Sequence, residues 1–126
     1  MQFFLSVLPQ IVPFEFGDDV VNVQESVSAM CSVNKGDLPI KIWWSLTASD
    51  GVERNLSTSD SVVIAQTGNK VSLINIESVE AKHRGNYTCW AKNRAGIAQH
   101  SSYLSVKGEI FLKICGKSSK FCNLFR

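Results

Sequence analysis

An all-β chain of seven or eight short strands, arranged as a sandwich or a barrel, is the fold this sequence predicts, on three observations. Apolar and polar residues alternate over short segments, turn-forming residues close each segment, and no stretch carries the three-to-four-residue apolar repeat of an amphipathic helix. The length agrees, since 126 residues with 44% apolar content make one domain with enough apolar matter to bury a core.

Strands are expected at 11–16, 18–24, 26–34, 40–47, 61–66, 70–77, 86–93 and 97–107. Between several of them, "NKGDLP", "SDG", "TGNK" and "NRAG" supply residues that tolerate tight-turn backbone or bond their own main chain. Successive strand residues face opposite sides of a sheet, so alternation assigns the inward set. That set is Val27, Ala29, Cys31 and Val33; then Ile40, Ile42, Trp44 and Leu46; then Ile74 and Ile76, with Val79 beyond; then Tyr87, Cys89 and Ala91. Twelve residues separate Cys31 from Trp44, and forty-four separate Trp44 from Cys89.

Charge and cysteine usage exclude several classes. The formal charge is +2, but residues 109–126 hold four Lys/Arg against one Asp/Glu, leaving nine against ten in the rest. A near-neutral body does not suit a nucleic-acid surface. The four cysteines (Cys31, Cys89, Cys115, Cys122) lack C-x-x-C spacing, and His83 and His100 have no helical partner, so no zinc site is expected and disulfide chemistry is the better reading. Disulfides imply an oxidising compartment. Two sequons, Asn55-Leu56-Ser57 and Asn86-Tyr87-Thr88, point the same way. The start "MQFFLSVLPQIVP" lacks the basic residues and the long apolar run of a secretory signal, and no apolar run is long enough to span a membrane.

The order Cys31, Trp44, Tyr87-x-Cys89 resembles an immunoglobulin domain, and "CWAKNRAG" at 89–96 resembles the F–G hairpin of its I-set. The resemblance implies a two-sheet sandwich in which Cys31 and Cys89 bridge the sheets, Trp44 packs on the bridge, Tyr87 forms the corner, and Asn93 and Gly96 shape the turn. More narrowly, "LPQIVPFEFG", "VSAMCSVNKGDLPIKIWW" and "INIESVEAKHRGNYTCWAKNRAG", taken in order, resemble the seventh immunoglobulin domain of the arthropod Dscam family, the Down syndrome cell adhesion molecules, over about residues 8–108. In that family the domain is encoded by one exon chosen from an array of alternatives. The resemblance implies a variable module in the extracellular part of a neuronal cell-surface glycoprotein, with homophilic adhesion to an identical domain on an opposing receptor through the A-B-E-D sheet.

The sequence departs from the family in two places. Where most I-set domains carry an Asp that meets a strand-D arginine, this chain has His83, expected to be a solvated loop histidine. The ends also differ: residues 1–9 read as an extension outside the native domain of 10–108, and 109–126 as a tail that is disordered or translated from intron. Gly108-Glu109 can be spelled by codons containing a splice donor; the alternative is a divergent terminus with a Cys115–Cys122 bridge.

No enzymatic arrangement is visible, and no cofactor, metal or small-molecule substrate is expected: there is no nucleophile elbow, no paired carboxylates and no phosphate-cradling glycine loop. Asp18, Asp19 and Asp50 read as turn or solubilising residues. Trp43 and Trp90, outward on strands C and F, are expected to form a cross-strand pair. Asn86 and Asn55 are the expected glycosylation sites, Asn86 outward on strand F and Asn55 in the polar connection "DGVERNLSTSD". The A-B-E-D sheet carries no sequon on its strands, and its outward Ser28, Met30, Ser32, Leu73 and Asn75 are the interface candidates. A heterophilic immune-recognition module and a passive spacer are the competing readings; a spacer shows only scattered exposed apolar residues, whereas a recognition face clusters them.

Overall fold

The computed structural model describes residues 6–17, 20–59 and 61–107. Among the described residues ten strands run in chain order: β1 Gln10–Ile11, β2 Val21–Asn22, β3 Val27–Lys35, β4 Lys41–Thr47, β5 Glu53–Asn55, β6 Val63–Thr67, β7 Val71–Ile76, β8 Gly85–Lys92, β9 Ile97–Leu104 and β10 Val106–Lys107. One sheet has the order β1-β3-β7-β6 and the other β5-β4-β8-β9, while β2 and β10 form a parallel pair of their own. In the lettering of the expected fold, the first sheet is A-B-E-D and the second C′-C-F-G.

The inward residues meet between the sheets. Cys31, Trp44, Ile74, Ile76, Tyr87 and Cys89 are all buried, with Val27, Ala29, Val33, Val79 and Ala91 around them, while Ile42 and Leu46 pack half-buried at the margin. Cys31 and Cys89 form a disulfide that ties β3 of one sheet to β8 of the other. The Trp44 indole N–H donates to Ser72 Oγ at 2.9 Å, so the polar end of a buried ring is satisfied from the facing sheet. Phe14 meets Trp44 edge-on at 5.4 Å, and Phe16 meets Tyr87 the same way at 5.1 Å.

Four expectations about strands are corrected. The strand expected at 11–16 keeps ladder pairing only at Gln10–Ile11, and the one at 18–24 only at Val21–Asn22, which pairs with β10 rather than β3. Pro13 has no N–H to give a ladder, and Phe14 and Phe16 turn into the core while the chain crosses from one sheet towards the other. Strand 97–107 is interrupted at Ser105 into β9 and β10. Finally, "ERN" at 53–55 is an edge strand, β5, so Asn55 sits in a sheet and not in a connection.

At the sheet ends, side chains lock the turns. Asn93 is buried; its Oδ1 accepts the N–H groups of Ala95 and Gly96, and its Nδ2 donates to the carbonyls of Val7 and Asp37. Residues 6–9, the described part of the expected N-terminal extension, are held to the domain there, Val7 also exchanging bonds with Asp37. Gly85 opens β8 with φ +151°, where a Cβ would lie 2.6 Å from the carbonyl oxygen of Thr47. A side chain at that point would separate β8 from β4. Residues 109–126, with Cys115 and Cys122, lie outside the described residues, as do Asp18 and Asp19.

Candidate functional site

The two sheets turn different faces to solvent. On the A-B-E-D sheet the register sets three rows across β3, β7 and β6: Ser28–Asn75–Val63, Met30–Leu73–Ala65 and Ser32–Val71–Thr67. Period-two alternation aims all nine side chains outward. Met30 is 52% exposed, Val63 45% and Leu73 38%, with Ala65 and Thr67 also open and Val71 half-buried. None of the nine is charged. The five interface candidates therefore come together as expected, and the patch is wider than expected. Val63, Ala65 and Val71 extend it along β6 and β7, and the alternation that selected Met30 and Leu73 marks them as outward.

The outward face of the C′-C-F-G sheet is instead built of side chains that satisfy one another. Trp43 and Trp90, opposed in the ladder, stack with ring centroids 6.0 Å apart and planes 6° from parallel, within the reach expected of an aromatic pair. Lys41 Nζ lies 5.6 Å from the Trp43 ring centre. The Trp90 indole N–H donates to Ser45 Oγ at 2.9 Å, and that hydroxyl donates to Glu53 Oε2 at 2.8 Å. Thr88 and Ser101 share a 2.6 Å hydrogen bond. Ser45 and Thr88 point outward yet are buried, because the indoles and the neighbouring strands cover them. Thr88, although outward on its strand, is closed off from solvent.

Asn86 lies on β8 between Thr47 and Tyr103, half-buried, and Asn55 lies exposed on β5 opposite Ser45; both are on this second face. Asp50 behaves as a turn residue. Its carboxylate accepts the Val52 N–H and pairs with Arg54 at 3.1 Å, and these bonds hold its pKa below the ordinary value.

His83 overturns its expectation. It closes a 3₁₀ turn at Ala81–His83 and is 3% exposed. Its Nδ1 accepts the Glu80 N–H at 2.8 Å, the position an acidic side chain would otherwise fill. Its carbonyl accepts the Tyr87 hydroxyl at 2.6 Å, which is the expected corner. Nε2 is buried without a partner, and burial lowers the imidazole pKa, with Lys82 adding to the effect and Glu80 opposing it.

Among the described residues no group of three His, Cys, Asp or Glu side chains could hold a metal ion, and no helix is long and apolar enough to cross a membrane.

Comparison with known proteins places this geometry. A family model described as "Immunoglobulin domain" matches residues 9–93. The cell adhesion molecule Dscam1 of Drosophila melanogaster is 39% identical over 100 residues, covering 79% of this chain and 5% of that protein. The chain thus spans about a twentieth of the length of the curated relatives it matches. A crystal structure of the Dscam1 Ig7 domain, isoform 5, superposes with a TM-score of 0.74 at 41% identity, over 81% of this chain and 99% of that one. For isoform 9 of the same domain the TM-score is 0.71 at 37% identity, over 79% and 99%.

Proposed function

Because the chain belongs to the immunoglobulin-domain family and matches Dscam1 Ig7 domains over nearly their whole length, we propose that it is a variable extracellular module of a cell-surface receptor that binds its own copy through the A-B-E-D face. The observation that carries this reading is the uncharged, largely apolar patch centred on the Met30–Leu73 row. In a two-fold contact each residue near the axis meets itself or its neighbour from the other copy. A charge at the centre would meet the same charge, which costs association several kcal/mol, as is typical of like-charge juxtaposition. A centre of Met30, Leu73, Ala65 and Val63, bordered by Ser28, Ser32, Thr67 and Asn75, avoids that cost and offers apolar area to bury. A passive spacer gives no reason for these side chains to cluster.

The test is Met30→Glu with Leu73→Glu in a multidomain protein carrying this module. Self-association measured by sedimentation should weaken about tenfold or more, as expected for losing a central hot spot, while the fold stays intact. Unchanged self-association in a folded double variant would rule out this face.

A further inference from the structure

Both sequons lie on one face, and each asparagine has an aromatic ring near it, an exposed Tyr103 beside Asn86 and, near Asn55, a Trp43 that stacks on Trp90. Asn86 on β8 is directly opposite Tyr103 on β9, and Tyr103 is 55% exposed. Residues so paired hold their Cβ atoms about 5 Å apart and point the same way. Asn55 is opposite Ser45, which puts Trp43, two residues back along β4, on the diagonal at about 7 to 8 Å. Trp90 stacks on Trp43 from the β8 side, and Trp43 borders a recess of about 400 Å³ also lined by Lys41, Asn55 and Lys92, within the size range of small-ligand pockets. A pyranose ring presents a face of C–H groups that matches an aromatic ring in size and carries the positive edge that a π-face attracts.

We propose that the C′-C-F-G sheet is a carbohydrate-bearing face, on which the first N-acetylglucosamine of a glycan at Asn86 seats on Tyr103 and that of a glycan at Asn55 seats on Trp43. The sugars lie along the sheet instead of projecting from it. They cover the face whose side chains already satisfy one another and leave the A-B-E-D rows bare. The buried Thr88 hydroxyl is no obstacle, because the sequon is modified on the emerging chain, before Thr88 and Ser101 close their hydrogen bond. The inference rests on the extracellular placement proposed above, but not on which face self-associates.

The experiment uses the full chain secreted from insect cells behind an added leader. Mass spectrometry first reads occupancy at Asn86 and Asn55; both sites bare would overturn the proposal. The glycans are then trimmed enzymatically to a single N-acetylglucosamine, and thermal unfolding is compared with that of the Asn86→Gln form, which lacks the Asn86 sugar. The one-sugar form should melt about 2 to 4 °C higher, the size of shift a modest contact gives a domain of this length. Tyr103→Ala should abolish that difference while leaving the Asn86→Gln form unchanged. Equal melting of the one-sugar and Asn86→Gln forms with Tyr103 intact would show that the sugar has no seat. A Tyr103→Ala loss of the same size with and without the sugar would assign Tyr103 a role in the bare fold and overturn the seat as well. Self-association in the same samples is read separately, so failure of the glycan seat and failure of the homophilic reading are distinguishable.

Discussion

The two outward faces of this sandwich are built from strands of similar length, yet one is finished and the other is not. On the C′-C-F-G face the indoles of Trp43 and Trp90 stack, Ser45 bridges an indole N–H to a carboxylate, and Thr88 pairs with Ser101. On the A-B-E-D face Met30, Leu73 and Val63 stand exposed with no such cover. Apolar area is left open as a cross-strand cluster on the A-B-E-D side, whereas on the other side the exposed Ile97 and Tyr103 stand apart at the two ends of β9. The difference separates a surface covered by its own side chains from one that would be buried only against a second molecule.

The largest expected effect breaks both faces together. Cys31→Ala with Cys89→Ala removes the link between the sheets, which closes a span of 58 residues. In the chain-entropy model a loop of that size is worth about 4 kcal/mol, and two emptied core positions add to the loss. Equilibrium denaturation should show the pair of substitutions unfolding the domain or leaving it marginal. A loss under about 1 kcal/mol would mean that side-chain packing alone holds the sheets in register.

Cys31, Trp44, Tyr87 and Cys89 were legible as inward residues because each sits on a strict two-residue period inside a long central strand, while the pairing of the two cysteines came from the immunoglobulin resemblance. β5 was not, because Glu53, Arg54 and Asn55 are all exposed and an edge strand with no buried side has no alternation to read. The first strands failed for the opposite reason. "IVPFEF" alternates well, but Pro13 breaks the ladder and the phenylalanines fill the core without pairing. His83 was misplaced because its burial comes from a turn closed by its own imidazole, an arrangement that a Glu80-x-x-His83 spacing does not announce. On the candidate face, alternation alone does not gather Val63, Ala65 and Val71 with Met30, because that grouping is set by the cross-strand register of β6, β7 and β3.

A second prediction sharpens the contrast by making one change on each face. Trp90→Ala removes the stack on Trp43 and the hydrogen bond to Ser45, and should cost roughly 2 kcal/mol of monomer stability. Met30→Glu, on the open face, should stay within about 0.5 kcal/mol, as surface substitutions that break no feature do. Chemical denaturation of the two single variants checks both. If Met30→Glu cost as much as Trp90→Ala, the A-B-E-D face would be a structural surface and the asymmetry between the faces would disappear.

The smallest expected effect is on the pH axis and concerns the corner that joins the sheets. His83 accepts the Glu80 N–H through Nδ1, so protonation there would place a hydrogen where a donor already points and break the bond. Burial is the main cause of its lowered pKa, Lys82 contributes to it, and the Glu80 charge opposes it. A histidine whose pKa is lower folded than unfolded leaves the unfolded chain holding more protons in the window between the two values. Stability from this group is therefore complete above the unfolded value of about 6.5 and falls as the solution is acidified through the folded value below it. The domain should melt at a lower temperature at pH 5 than at pH 7.5. His83→Gln keeps a side-chain oxygen able to accept from Glu80 but cannot titrate, so its melting temperature should change less over the same interval. Equal acid sensitivity in the two proteins would place the titrating group elsewhere and leave the corner indifferent to pH.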